Sequence, residues 1–268
     1  MNFSYTEEQN LLRDSVRKWV KDSYEFEHRR RQLREHGGFD PAHWAQMAEL
    51  GWLALPFAEE DGGFGGSLLD VTVLAEEFGK GLVVEPYLAN IVLAGGVIRA
   101  AGSAAQRAAL LPGLLDGSKQ AALAYAGRGS RYALEDVDCT ATKRGDGWVI
   151  NGEKIAVING DVADLLVVVA RTAGGRRDRE GISLFAVDAR AAGVSRQSYP
   201  TFDGFRAAEL KLADVAVGAD ALLGVAGKAL PVLESVIDEA TVVVSAEAIG
   251  IMESLYKTTV EYTKTRKQ

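Results

Sequence analysis

The 268-residue chain has one cysteine and three histidines. A single cysteine, Cys139, excludes an intramolecular disulfide and suits a reducing compartment. It falls in a strand pattern and reads as a packed residue. The histidines, His28, His36 and His43, all fall in the first helical stretch. No Cys/His cluster is spaced for zinc, so no metal is expected, and each histidine reads as a surface or packing residue. No apolar run reaches the roughly 18 residues of a membrane-spanning helix. No basic segment followed by an apolar one opens the chain, so a soluble, cytoplasmic protein without a membrane partner is expected. Basic excess is also lacking, since the net charge is −7. The run Arg29-Arg30-Arg31 lies among Glu25, Glu27 and Glu35, which reads as a solvated helix face. Nucleic acid is therefore not expected as a partner. There is no Walker loop, internal repeat or low-complexity linker.

What is present is apolar content of 47%, ample for packed cores. The chain is organised around residues 138–171, which read as a β meander. Residues 139–143 alternate small and polar types, and Gly145-Asp146-Gly147 turns the chain. Trp148-Val149-Ile150 is a short strand, and Asn151-Gly152 reads as a type I′ hairpin turn. Residues 154–158 return, and 165–170 form a continuous apolar run suited to a buried strand.

Helical patterns flank this island. Ser4 or Thr6 can cap a first helix, which is expected to run to about Leu33 and stop at Gly37-Gly38. Asp40-Pro41 opens a second helix that ends at Gly51. The glycine loop 61–66 reads as a turn between helices, since no strand precedes it. Helices are expected at 67–80, 86–101 and 103–115. Near Lys119 the period changes to 2, and strands are expected at 120–125, 181–187, 193–198 and 206–212. Helix returns after Gly224 as two segments, 228–236 and a long one from Asp238. The expected domains are an all-α domain over 1–118, an antiparallel β-sandwich or barrel over 119–225, and an incomplete helical domain over 226–268.

This order resembles the acyl-CoA dehydrogenases, flavoproteins that oxidise acyl-CoA thioesters. Leu55-Pro56 followed by Glu59-Glu60-Asp61-Gly62-Gly63 is similar to that family's Pro-Glu-x-x-Gly-Gly loop. Residues 146–154 with Asn159-Gly160, Ala163-Asp164 and Ala170-Arg171 resemble its middle-domain core. Residues 262–268 resemble the Tyr-x-x-x-Arg-x-Gln segment of its interface signature. Within the family the chain is most similar to the small subunit of pimeloyl-CoA-type dehydrogenases. The resemblance implies a C-terminal four-helix bundle, of which only the first long helix is present. It also implies FAD between the middle and C-terminal domains, an acyl-CoA substrate, and an electron-transfer flavoprotein or similar acceptor. A homo- or hetero-oligomer with an acyl-CoA dehydrogenase paralogue is implied as well.

The chemistry sets the demands on such a site. A carboxylate must take the weakly acidic α-proton of the thioester while the β-hydride leaves to the flavin. Carried over residue by residue, the first flavin motif falls on 124–131, where Gly129 and Ser130 match and Ala124, Tyr125 and Arg131 do not. The second falls on 156–160. There Asn159 and Gly160 match, but Ala156 replaces an aromatic and Ile158 a hydroxyl that contacts the flavin. The resemblance places the loops 127–131 and 156–160 side by side, facing the long helix. Arg266 matches an arginine that reaches FAD phosphates across the dimer; otherwise it is a solvated cation at a helix end.

The catalytic base stays unassigned. Some members carry it at the position of Ala240, and the neighbouring Glu239 is turned about 100° away on a helix. Glu239 is thus a candidate base or a surface carboxylate. Asp238 is a candidate pantetheine contact or a helix cap. Two functions follow. The chain is a subunit of an FAD-dependent acyl-CoA dehydrogenase performing α,β-dehydrogenation, or a non-catalytic partner that does not bind its own FAD.

Overall fold

A computed structural model describes residues 4–35 and 38–267. His36, Gly37 and Gln268, named above, lie outside the described residues.

Helix α1 (Glu7–Ser23) starts on a capping box, in which Thr6 Oγ1 accepts from Gln9 N and Gln9 Oε1 accepts from Thr6 N. It was expected to continue to Leu33, but the chain breaks after Ser23 and restarts as α2 (Phe26–Glu35). The cause is tertiary. Tyr24 leaves helical backbone geometry, packs its ring 5.6 Å from Trp19, and accepts a hydrogen bond from Val84 N. Helix α3 (Pro41–Glu49) is capped by Asp40, and α4 (Leu68–Gly81) by a Ser67–Asp70 capping box. The segment expected as one α-helix over 86–101 is a π-helix (Leu88–Gly95) running into α5 (Gly96–Ala101). Within it buried Asn90 accepts from Ala121 N at 2.8 Å, tying the helical domain to the first strand. Short helices α6 (Ala104–Leu110) and α7 (Pro112–Leu115) follow.

The strands are β1 (Ala121–Ala124), β2 (Thr140–Arg144), β3 (Gly147–Ile158), β4 (Leu165–Arg171), β5 (Ile182–Asp188), β6 (Val194–Pro200), β7 (Arg206–Val217) and β8 (Leu222–Leu223). They join in the order β6-β7-β3-β2-β4-β5-β8, with β1 parallel to β4. A single parallel bridge, Thr140 to Arg171, links β2 to β4. The two antiparallel halves on either side of it close over a common core, where Trp148 of β3 meets Phe185 of β5 at 5.5 Å.

The hairpin turn expected at Asn151-Gly152 is not one. Strand β3 runs straight through these residues, and its register with β7 slips between Ile150 and Gly152. Gly152 sits at φ 147°, and a β-carbon there would lie 2.6 Å from Cys139 Cα. Asn151 exchanges hydrogen bonds with Asp214 across the bulge. The dipeptide serves a bulge because its neighbour is β7, a strand far away in sequence. A second slip, between Lys154 and Val157, puts Ala156 at φ 50° and re-aims the end of β3.

After β8 the chain forms one helix, α8 (Leu230–Thr265), not two segments. Pro231 occupies its first turn, and Asp238 lies mid-helix, so the cap reading of Asp238 fails. Leu233, Val236, Ala240, Val243, Ala246 and Gly250 are its buried positions.

Candidate functional site

Helix α8 crosses α4 backbone to backbone. A β-carbon on Gly79 would stand 2.1 Å from Glu247 O, and one on Gly250 would stand 1.9 Å from Glu76 O. Only glycine permits that approach. The crossing fixes α8 over the end of β3 and encloses a cavity of about 270 Å³ between the helical domain, the sheet and α8. Phe78, Leu88, Phe205, Val243 and Ile251 supply apolar walls. Ile158, which the second bulge points outward, forms the sheet-side wall and is 41% exposed. The charged residues lining the cavity are all acidic: Glu85, Asp203 and Glu247. Burial raises the Glu247 carboxyl above its ordinary range, and the Asp203 charge adds to the effect.

The other expected site residues are dispersed. Asn159 is buried at φ 64°, and its amide nitrogen donates to Gln120 Oε1 and Ala121 O. It locks β3 to β1 and aims no side-chain group at the cavity. Ser130 Oγ is satisfied inside its own turn, accepting from Gly127 N and donating to Gly127 O. Gly129 is exposed beside Arg176. The chain just before the loop 127–131 is tied to β3, where Ile155 N donates to Ala126 O at 3.0 Å and Lys154 Nζ to Tyr125 O at 3.0 Å, and the loop itself meets β3 through Arg128, 3.7 Å from Glu153. None of its residues lines the cavity that holds Ile158. Arg128 pairs with Glu209 and Glu153 in a separate cleft.

Glu239 lies on another side of α8. It accepts from Arg99 at 2.5 Å in a cleft of about 180 Å³ lined by Pro56, Phe57 and Leu68. Asp238 is exposed, and Ala240 is buried. Arg266 sits at the far end of α8, stacked on Tyr262 and donating to its hydroxyl at 2.8 Å. At 1.5 Å per residue it is about 40 Å from Asp238 along the helix. The two cannot serve one site within one chain.

Glu247 was missed from the sequence. Its signal was available: it follows Ala240 and Val243 at seven and four residues, a carboxylate inside the buried stripe.

The fold and this three-way junction can now be set beside known proteins. Residues 6–118 match the family model for the acyl-CoA dehydrogenase N-terminal domain, and 122–215 the model for its middle domain. The probable acyl-CoA dehydrogenase YngJ of Bacillus subtilis is 31% identical over 276 residues, covering 100% of this chain and 71% of that protein.

The chain belongs to the acyl-CoA dehydrogenase family.

Members of this oxidoreductase family also match in structure. Butyryl-CoA dehydrogenase from Megasphaera elsdenii superposes with a TM-score of 0.90 at 27% identity, over 100% of this chain and 72% of that one. A chain of the ChsE4-ChsE5 complex from Mycobacterium tuberculosis gives 0.87 at 26%, over 100% and 70%. Helical domain, β domain and C-terminal helix thus agree with the family fold. Among the described residues no helix is long and apolar enough to cross a membrane.

Proposed function

We propose that this chain is a subunit of an FAD-dependent acyl-CoA dehydrogenase that performs α,β-dehydrogenation of an acyl-CoA thioester in the cytoplasm. Its relatives are the support for the reaction. The cavity where the three domains meet is the support for the place.

A specific observation favours the second reading, in which the chain is a non-catalytic partner that does not hold its own flavin. The charged groups around the cavity are carboxylates, and a dianionic pyrophosphate cofactor needs donors and cations. Ile158 offers hydrocarbon where a donor is required, and Ser130 and Asn159 spend their polar groups inside the fold. Arg206, in the adjoining cleft, is committed to Asp161 at 2.7 Å. These residues do not fit FAD unaided. The base also remains unassigned within this chain, because Glu239 is held by Arg99. What the chain can offer a neighbour is Arg266, at an exposed helix end, and the apolar residues Ile249, Met252 and Leu255, each more than half exposed on α8. Such a face favours association. A second copy or a paralogue would cover it, and similarity to a chain of a two-protein complex supports the latter.

Flavin titration of the purified chain, followed at about 450 nm, separates the readings. The partner reading expects a colourless chain, and a yellow complex on co-expression with a paralogue that loses flavin in Arg266→Ala. Stoichiometric flavin in the chain alone would overturn the partner reading and leave the enzyme reading. Failure to assemble with any dehydrogenase paralogue, together with a monodisperse monomer in sedimentation, would overturn both.

A further inference from the structure

The helical domain contains a polar cluster that meets the cavity described above only through Glu85. His28 is on α2, Asp40 caps α3, and His43 is in the first turn of α3. Their ligand atoms all lie within 4.8 Å of one another. His28 Nε2 stands 4.0 Å from Asp40 Oδ2. Gln32 and Glu85 also border the cluster, and the rings of Trp19 and Tyr24 pack on His43. Gln32 Nε2 is 3.2 Å from both Asp40 Oδ2 and His43 Nδ1, and Glu85 Oε1 is 3.5 Å from His43 Nδ1.

The cluster is not satisfied by its own members. Five buried side-chain atoms among the described residues lack a hydrogen-bond partner, and three of them belong here: His28 Nε2, Gln32 Oε1 and Glu85 Oε2. Gln32 and Glu85 are 2% and 3% exposed, so water contributes little. Each such atom has lost its hydration without a replacing bond, and natural folds seldom gather three in one place. Protonation does not resolve the mismatch. With a proton on Nδ1, His43 points a donor at the Gln32 amide donor. Without it, Nδ1 points a lone pair at the Glu85 carboxylate. A positive centre satisfies both, and the Gln32 amide hydrogens stand where that centre belongs.

We infer that His28, Asp40 and His43 form a binding site for one divalent transition-metal ion, of the zinc class, that clamps α2 to the start of α3. Two imidazoles and one carboxylate are an established donor set for zinc, completed by a fourth ligand. At Zn–N and Zn–O lengths near 2.0–2.1 Å, tetrahedral ligand atoms lie roughly 3.4 Å apart. From 4.8 Å or less, the three donors need to close by at most about 1.4 Å. Turning the Gln32 amide removes its donors from the centre and presents Oε1, or leaves room for a water. Asp40 keeps its cap meanwhile, because Ala42 N donates to Oδ1 and the metal would take Oδ2. Glu85 Oε1, 3.5 Å from His43 Nδ1, would set its negative charge beside the ion.

The test is titration of the full chain with Zn²⁺ alone, by calorimetry and by thermal unfolding with and without EDTA. One Zn²⁺ per chain and an EDTA-reversible rise in Tm are expected. Co²⁺ in its place should give the visible bands of a low-coordinate nitrogen/oxygen site. His28→Gln and Asp40→Asn should each weaken Zn²⁺ binding at least tenfold, and Glu49→Gln, an exposed change at the far end of α3, should leave it unchanged. Asparagine caps a helix as well as aspartate, so Asp40→Asn should keep its metal-free Tm, and its loss of affinity cannot be ascribed to misfolding. Absence of stoichiometric binding, or binding unaltered in both variants, would overturn the site and leave the cluster as packing.

Discussion

Gly250→Ala is the sharpest probe of how the cavity is built. On an exposed helix the change would stabilise by about 1 kcal/mol, because alanine is the better helix former. Here the new β-carbon would stand 1.9 Å from the Glu76 carbonyl oxygen of α4. A carbon–oxygen contact needs roughly 3.3 Å, so the helices must part by about 1.4 Å at the crossing. The opposing atom is backbone inside a helix and cannot turn aside. A gap of even 0.5–1 Å forfeits about a quarter to a half of each dispersion contact. The crossing carries Leu74, Ala75 and Phe78 on α4, and Val243 and Ala246 on α8, all buried. It also carries the Ser254 Oγ bond to Lys80 O and the Lys80–Glu253 pair. Overpacking of this kind costs about 1–3 kcal/mol, occasionally more. Strain and lost contacts together outweigh the propensity gain, for a net loss of about 2–3 kcal/mol. Urea unfolding should show a lower midpoint. Amide exchange should show α8 losing protection ahead of the sheet, since α8 would lift from the cavity first. An unchanged or raised midpoint would refute the claim that glycine contacts set the position of α8.

Two further outcomes are expected. Arg171→Met should destabilise the β domain by on the order of 4 kcal/mol, because the buried guanidinium donates to six carbonyls, those of Glu135, Val137, Ala173, Arg176, Asp178 and Glu180; a loss under about 1.5 kcal/mol in denaturant unfolding would contradict that role. Hydrogen bonds from Lys257 and then Lys80 hold the Glu253 carboxyl down to about 2. Its contribution is therefore complete above the unfolded value of about 4.3 and fades as pH falls through about 2, so the acid loss of α8 protection should be shallower in Glu253→Gln; identical pH profiles would exclude the linkage.

Much of this protein was determined by its sequence alone. Thr6 with Gln9 and Asp40 with Pro41 set helix starts, because capping involves residues two or three apart. The change of period near Lys119 separated helical from β segments, and Gly145-Asp146 turned β2 into β3 as read. The family was legible in Asp146, Asn159-Gly160 and Ala170-Arg171. What the sequence did not reveal depends on distant neighbours. Tyr24 breaks the first helix because Val84 N waits for its hydroxyl, and Asn151-Gly152 forms a bulge because Asp214 lies opposite. The two final helical patterns fuse into α8, so Asp238 caps nothing. Whether a candidate residue faces the cavity was likewise a tertiary matter. A helix turns about 100° per residue, so Glu239 meets Arg99 while Glu247 reaches the cavity. In the same way, only the packing of α2 beside α3 brings His28 to Asp40 and His43.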